Sequence, residues 1–185
     1  MIPMTQLWLP LVLSAVLVFI ASSVIHMVLK WHNTEYLKLP NEDEVRAALR
    51  KAGPPGQYVV PHCVDMKQMQ APEMQQKYIE GPVAFIMLRK PGMPKMGPAL
   101  AQWFALNLLV ACIAACVAAS TLPLGASPAR AFHVTGLISF IAYAGGSLSS
   151  GIWKGQPWKS VGKELLDAAI FGIAGGAPFA LLWPG

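Results

Sequence analysis

Residues 131–183 read AFHVTGLISFIAYAGGSLSSGIWKGQPWKSVGKELLDAAIFGIAGGAPFALLW, and the fold turns on that stretch. Two apolar runs, 131–152 and 165–183, flank a short basic loop, Trp153-Lys154-Gly155-Gln156-Pro157-Trp158-Lys159. At 1.5 Å of rise per residue, a helix of about 20 residues crosses a hydrocarbon layer of about 30 Å, and each run has that length. Paired Trp and Lys in the loop suit the lipid headgroup level. Small residues recur at every fourth position. Ala142, Gly146 and Ser150 share a face before the loop, and Ala168, Gly172, Gly176 and Ala180 share one after it. Helices in lipid gain no hydrophobic energy by pairing, so close backbone approach supplies much of the attraction, and small residues permit it. These seven positions are the candidate helix-packing residues.

Two more apolar runs lie upstream, at 7–29 and 99–120. Composition agrees with a membrane setting: 55% of the 185 residues are hydrophobic and 12% charged, against about 25% charged in an ordinary soluble domain. The mean hydropathy is +0.48. Residues 1–6 carry no charged side chain and no small-residue cleavage pattern follows, so the first run reads as an uncleaved anchor. The expected fold is an all-α membrane protein with four transmembrane helices and a small cytoplasmic α+β insert. Its parts are a first helix within 1–30 (about 7–29), the insert at 31–97, and a three-helix membrane region at 98–185 (about 99–120, 131–152 and 165–183). Of the fourteen Lys and Arg residues, thirteen fall in 30–97 or 154–163, leaving only Arg130 on the other side. The positive-inside rule then puts the insert and the basic loop in the cytoplasm and both termini outside.

The insert has local signals of its own. Asn41 followed by Glu44 predicts a capping box, acidic residues fill the first turn, and Gly53-Pro54-Pro55 stops the helix. Strands are expected at 57–60 and 83–88, with a short helix from Pro72 to about Glu80 between them.

Function classes narrow unevenly. The net charge of +5 is spread over loops, with no basic block, zinc-finger spacing or RNA-binding aromatic signature, so nucleic acid is not an expected partner. Three cysteines without extracellular-style spacing argue against a disulfide framework, and Cys112 and Cys116, one turn apart in an apolar run, read as packing residues. No catalytic motif is legible, which leans away from an enzyme; His62 and Cys63, adjacent on extended chain, would point to opposite faces. Together with Met66 and Met69 they do offer soft donors suited to copper as Cu(I), although Met also serves as an adaptable apolar contact. Within the membrane runs, His26 and Asp167 lie near the same side and form a candidate proton or ion relay. Gln102 and Asn107 read as interhelical hydrogen-bonding groups, and Pro178 as a kink beside Gly175-Gly176.

The segment Gly151-Ile-Trp-Lys-Gly-Gln-Pro-Trp-Lys159, followed by a closing helix that ends Leu-Leu-Trp-Pro184, resembles a hairpin of small bacterial multi-pass membrane proteins of unknown function. The resemblance implies a bacterial inner-membrane setting and transfers no catalytic residue. The leading functional expectation is an accessory or assembly subunit of a membrane complex, with the lipid bilayer and other membrane subunits as partners. A small homo-oligomeric transporter or permease is the first alternative, and a copper-handling membrane protein the second.

Overall fold

The computed structural model describes residues 2–185. In chain order its elements are α1 (Trp8–Ser23), α2 (Glu42–Arg50), β1 (Gly56–Val60), α3 (Met66–Met69), α4 (Pro72–Glu80), β2 (Ala84–Leu88), α5 (Met96–Thr121), α6 (Pro128–Lys154) and α7 (Trp158–Leu181). They divide into two compact units: residues up to Leu37 with Lys95–Gly185, and Lys38–Pro94.

Four helices of the first unit are long and apolar enough to cross a membrane: Trp8–Leu29, Met96–Thr121, Pro128–Lys154 and Trp158–Leu181. The chain is an all-α multi-pass membrane protein with a small α+β insert. Pro128 opens α6 at a position whose N–H has no helical partner, and Gly155, left-handed at φ 69°, closes it. The link to α7 is only Gly155 to Pro157, so α7 begins at Trp158, about two turns before the apolar run at 165. The polar residues 158–164 are helix rather than loop because a three-residue connection suffices between antiparallel neighbours.

Around the bundle the main helix contacts run in the order α1, α5, α6, α7 and back to α1. α6 and α7 pair most closely. An added Cβ at Gly172 would stand 3.0 Å from the Gly136 carbonyl oxygen, and one at Gly176 would stand 3.1 Å from the Gly136 backbone nitrogen. At Gly175 the added carbon would meet the hydroxyls of both Ser139 and Ser14, so α1, α6 and α7 converge there. The two small-residue stripes therefore have different fates. Ala168, Gly172 and Gly176 are buried and Ala180 half-buried, used up inside the bundle. Ala142 and Gly146 on α6 are exposed and Ser150 half-exposed, and an added Cβ at Gly145 or Gly146 would meet nothing within 4 Å. Gly136, ten residues before Gly146, is the α6 residue that carries the seam.

At one end of the bundle Ile2, Leu7, Ala115, Ala119 and Phe179 form an apolar cluster. The Ile2 N–H donates to the Ala119 carbonyl at 3.2 Å, and the Trp183 indole N–H donates to the Pro123 carbonyl at 3.0 Å. Mid-bundle, the Tyr143 hydroxyl donates to Asn107 Oδ1 at 2.9 Å and the Trp103 indole N–H to the Ser22 hydroxyl at 2.8 Å. Asn107 thus makes an interhelical bond, whereas Gln102 is exposed. Pro178 lies in the last turn of α7, where its missing N–H removes one bond close to the helix end.

In the second unit β1 and β2 pair antiparallel, Gly56 opposite Leu88 and Val60 opposite Ala84. The Asn41 side chain does not cap the α2 backbone; its amide donates to the Glu44 carboxylate at 3.3 Å instead. A cap unforeseen in the sequence sits at α3, where Asp65 Oδ1 accepts from the Gln68 N–H at 2.7 Å while Gln68 Oε1 accepts from the Val64 N–H at 2.8 Å.

Candidate functional site

The end of the bundle opposite Ile2 and Trp183 holds a contiguous network of ionisable side chains. It begins where α1 loses its regular winding. The hydroxyls of Ser22 and Ser23 both donate to the Phe19 carbonyl, at 2.9 and 2.8 Å, and such back-bonding competes with the helix's own hydrogen bonds. The next turn, Val24–Leu29, is a π-helix, a widened form that recurs at functional sites. Lys30 then adopts the left-handed conformation at φ 52°, its N–H donating to the Ile25 carbonyl at 3.2 Å. That reversal starts a 3-10 turn, Trp31–Glu35, which folds back along the end of α1. The His32 ring thereby lies 4.8 Å from the His26 ring, centroid to centroid.

α7 supplies the other half. Lys163 and Asp167 are four residues apart and so share a helical face. His32 Nε2 lies 2.7 Å from Asp167 Oδ2, and His32 Nδ1 lies 2.9 Å from Glu35 Oε1. His26 Nε2 lies 3.7 Å from Asp167 Oδ2. Lys163 Nζ closes the far end, donating to the Trp31 carbonyl at 2.7 Å and the Thr34 hydroxyl at 3.1 Å, with Glu35 Oε1 at 3.4 Å. His32, Glu35 and Lys163 are largely covered. The Asp167 side chain is only 6% exposed against 51% for His26, the most exposed member of the network.

The proton count is unusual. His32 offers both ring nitrogens to carboxylate oxygens, and a neutral imidazole carries a single N–H. One of its two contacts is short of a proton unless the ring or a carboxyl carries a second one, or a cation stands in. The second oxygen of Asp167, Oδ1, is buried without a hydrogen-bond partner, as is the Trp31 indole N–H. Buried polar atoms are nearly always paired, so each such orphan calls for an explanation. Among the described residues, His26, His32 and Asp167 are the one trio of His, Cys, Asp or Glu whose ligand atoms all lie within 4.8 Å of one another.

Of the residues singled out in the sequence, His26 and Asp167 are brought together here. Asp167 lies nine residues into α7, because the helix starts at Trp158, ahead of the apolar run at 165. His32, Glu35 and Lys163 were not foreseen. The first two follow the apolar run and were assigned to the insert, yet they pack with the membrane helices. The i, i+3 spacing of His32 and Glu35 and the i, i+4 spacing of Lys163 and Asp167 were the signals to find them. In the other unit, His62, Met66 and Met69 are exposed, and the half-buried Cys63 thiol donates to the Asp65 carbonyl at 3.2 Å. No protein family, curated protein or solved structure matches the chain.

Proposed function

We propose that this multi-pass protein is an accessory or assembly subunit of a larger complex in a bacterial inner membrane, docked through the outward face of α6. The observation that carries the reading is the unpartnered small-residue face at Ala142, Gly145 and Gly146. Gly inside a helix costs about 1 kcal/mol relative to Ala, and a position that faces only lipid gains nothing in return. Close approach of another helix offsets that cost, as it does at the Gly136–Gly172 crossing within the bundle. The distribution of Lys and Arg supports placing the α6–α7 link and the Lys38–Pro94 unit in the cytoplasm and both termini outside. A reporter fused after Gly185 tests that orientation, because activity on the cytoplasmic side reverses it.

The test of the function is native mass spectrometry of the protein extracted in mild detergent from its own membranes. A heteromeric mass that disappears in Gly146→Leu, while the variant chain remains folded, is the expected result. Recovery of a lone chain, or a complex indifferent to Gly146→Leu, ends the subunit reading. A second reading, a small homo-oligomeric transporter that relays protons or ions through His26 and Asp167, is favoured by their 3.7 Å approach and by the exposure of His26. It requires that Asp167→Asn abolish flux in proteoliposomes of the purified protein. Equal flux in the two proteins, or none in either, removes it.

A further inference from the structure

We propose that His26, His32 and Asp167 form a binding site for a single divalent transition-metal ion, of the class of Zn²⁺, Co²⁺ or Fe²⁺. The inference stands apart from the subunit reading, since it concerns the end of α1 and not the face of α6. Two imidazole nitrogens and one carboxylate select for such ions over Mg²⁺ and Ca²⁺, which take oxygen ligands. Ligand bonds of about 2.0–2.2 Å set the donors of a tetrahedral ion about 3.4 Å apart. His26 Nε2 and Asp167 Oδ2 are 3.7 Å apart, already near that spacing; the His32 Nε2 to Asp167 Oδ2 distance of 2.7 Å has to open by less than about 1 Å, and the widest spacing in the trio, 4.8 Å, has to close by about 1.4 Å, which a turn of the half-exposed His26 ring supplies.

Further features of the cluster suit an ion. Asp167 Oδ1 is buried and unpartnered in a residue only 4% exposed, so the carboxylate whose Oδ2 faces the two imidazoles has a second oxygen unused. A cation on the Nε2 lone pair is one way to supply the positive charge His32 needs between two carboxylates, and it leaves the single N–H on Nδ1 to donate to Glu35. Glu35 at 2.9 Å is then the outer carboxylate that fixes the tautomer of a metal-bound histidine, an arrangement that accompanies such ligands almost always. Lys163 pairs with Glu35 at 3.4 Å, whereas among the described residues the charge partners of Asp167 are the two histidines alone. His26, half-exposed on the widened turn of α1, gives an ion its way in, and water completes the coordination. A bound ion would occupy the same lone pairs that a proton relay uses, so the two ideas compete.

The experiment uses the full chain, purified in detergent without a histidine tag and stripped by a chelator. Co²⁺ is titrated in and followed by its visible ligand-field absorption, with elemental analysis for stoichiometry. One Co²⁺ per chain, displaced by Zn²⁺, is expected. His26→Gln, at a half-exposed position that leaves the fold intact, should weaken binding at least tenfold, and Glu35→Gln should weaken it about 10- to 100-fold through the outer contact. The double variant His62→Ala with Cys63→Ala should bind as the native chain does. Absence of stoichiometric Co²⁺, full binding by His26→Gln, or loss of binding in the His62–Cys63 variant overturns the proposal.

Discussion

Replacing Gly172 by Ala and replacing Gly146 by Ala should have opposite effects on stability, although both lie in small-residue stripes of one helix pair. At Gly172 the added methyl would stand 3.0 Å from the Gly136 carbonyl oxygen and 3.2 Å from the Phe140 Cβ. Neither neighbour is the free end of a flexible chain, so the two helices have to part by a few tenths of an ångström along the whole crossing. Overpacking of that kind costs about 1–3 kcal/mol. Ala gains about 1 kcal/mol over Gly in a helix, which leaves Gly172→Ala destabilising by about 1 kcal/mol. At Gly146 nothing lies within 4 Å, so only the propensity gain remains, and the isolated chain should be stabilised by up to about 1 kcal/mol. Gly176→Ala presses on the same residue, Gly136, with contacts of 3.1 Å to its Cα and nitrogen. One separation of the helices relieves both methyls, so the double variant Gly172→Ala with Gly176→Ala should lose less than the two single losses added together. Equilibrium unfolding in mixed micelles or steric trapping in bicelles reads all four proteins. If Gly172→Ala proves as stable as Gly146→Ala, the close crossing of α6 and α7 at Gly136 is wrong.

Tyr143→Phe removes the donor to Asn107 Oδ1 and strands a buried oxygen whose amide nitrogen is already unpaired; a loss of about 1–3 kcal/mol is expected in the same unfolding assay. Lys163→Met removes three contacts to the 31–35 turn, so hydrogen exchange there should accelerate at least tenfold while α5 stays protected, and unchanged exchange counts against that anchor. In the other unit, Lys77 Nζ at 2.8 Å holds the Glu73 carboxyl below the ordinary carboxylate range. The favourable contact is therefore complete above the ordinary Glu value and fades as pH falls through the lowered one. Lys77→Met should raise the Glu73 titration midpoint in a carboxyl-carbon NMR titration, and an unmoved midpoint rejects the pairing.

The four crossings were legible because length and apolarity are properties of single segments, and lipid imposes them on each helix separately. The split between the two small-residue stripes was not, because Gly146 and Gly172 look alike until Gly136 is known to sit opposite Gly172. The same limit hid most of the polar network. His26 and Asp167 stand out as ionisable residues in apolar runs, whereas His32 and Glu35 sit among ordinary polar neighbours. What recruits them is the left-handed Lys30, and Lys gives no sequence warning of that conformation as Gly or Asn does. The capping box at Asn41 shows the converse. The pattern is present, but the two side chains satisfy each other and leave the backbone amides of α2 uncapped by them.

The use of both faces of α7 bears on what the network can do. Its glycine face is pinned to α6, and the face toward α1 carries Asp167 and, one turn on, Phe171. Phe171 packs with Val18 and Ile25 of the α1 segment and meets Trp103 and Tyr143 with ring centroids 6.1 and 5.3 Å away. Trp103 and Tyr143 are themselves 5.8 Å apart, so three aromatic rings from α5, α6 and α7 close the bundle directly beyond the carboxylate. A charge that enters at His26 and reaches Asp167 meets an apolar plug, and in low dielectric that is a steep barrier. Within one chain the polar network therefore ends at Asp167. Conduction through it would need a path past His26 and between copies of the chain. That requirement weighs against transport by a monomer, and the Co²⁺ titration of the full chain tests whether His26, His32 and Asp167 hold an ion instead.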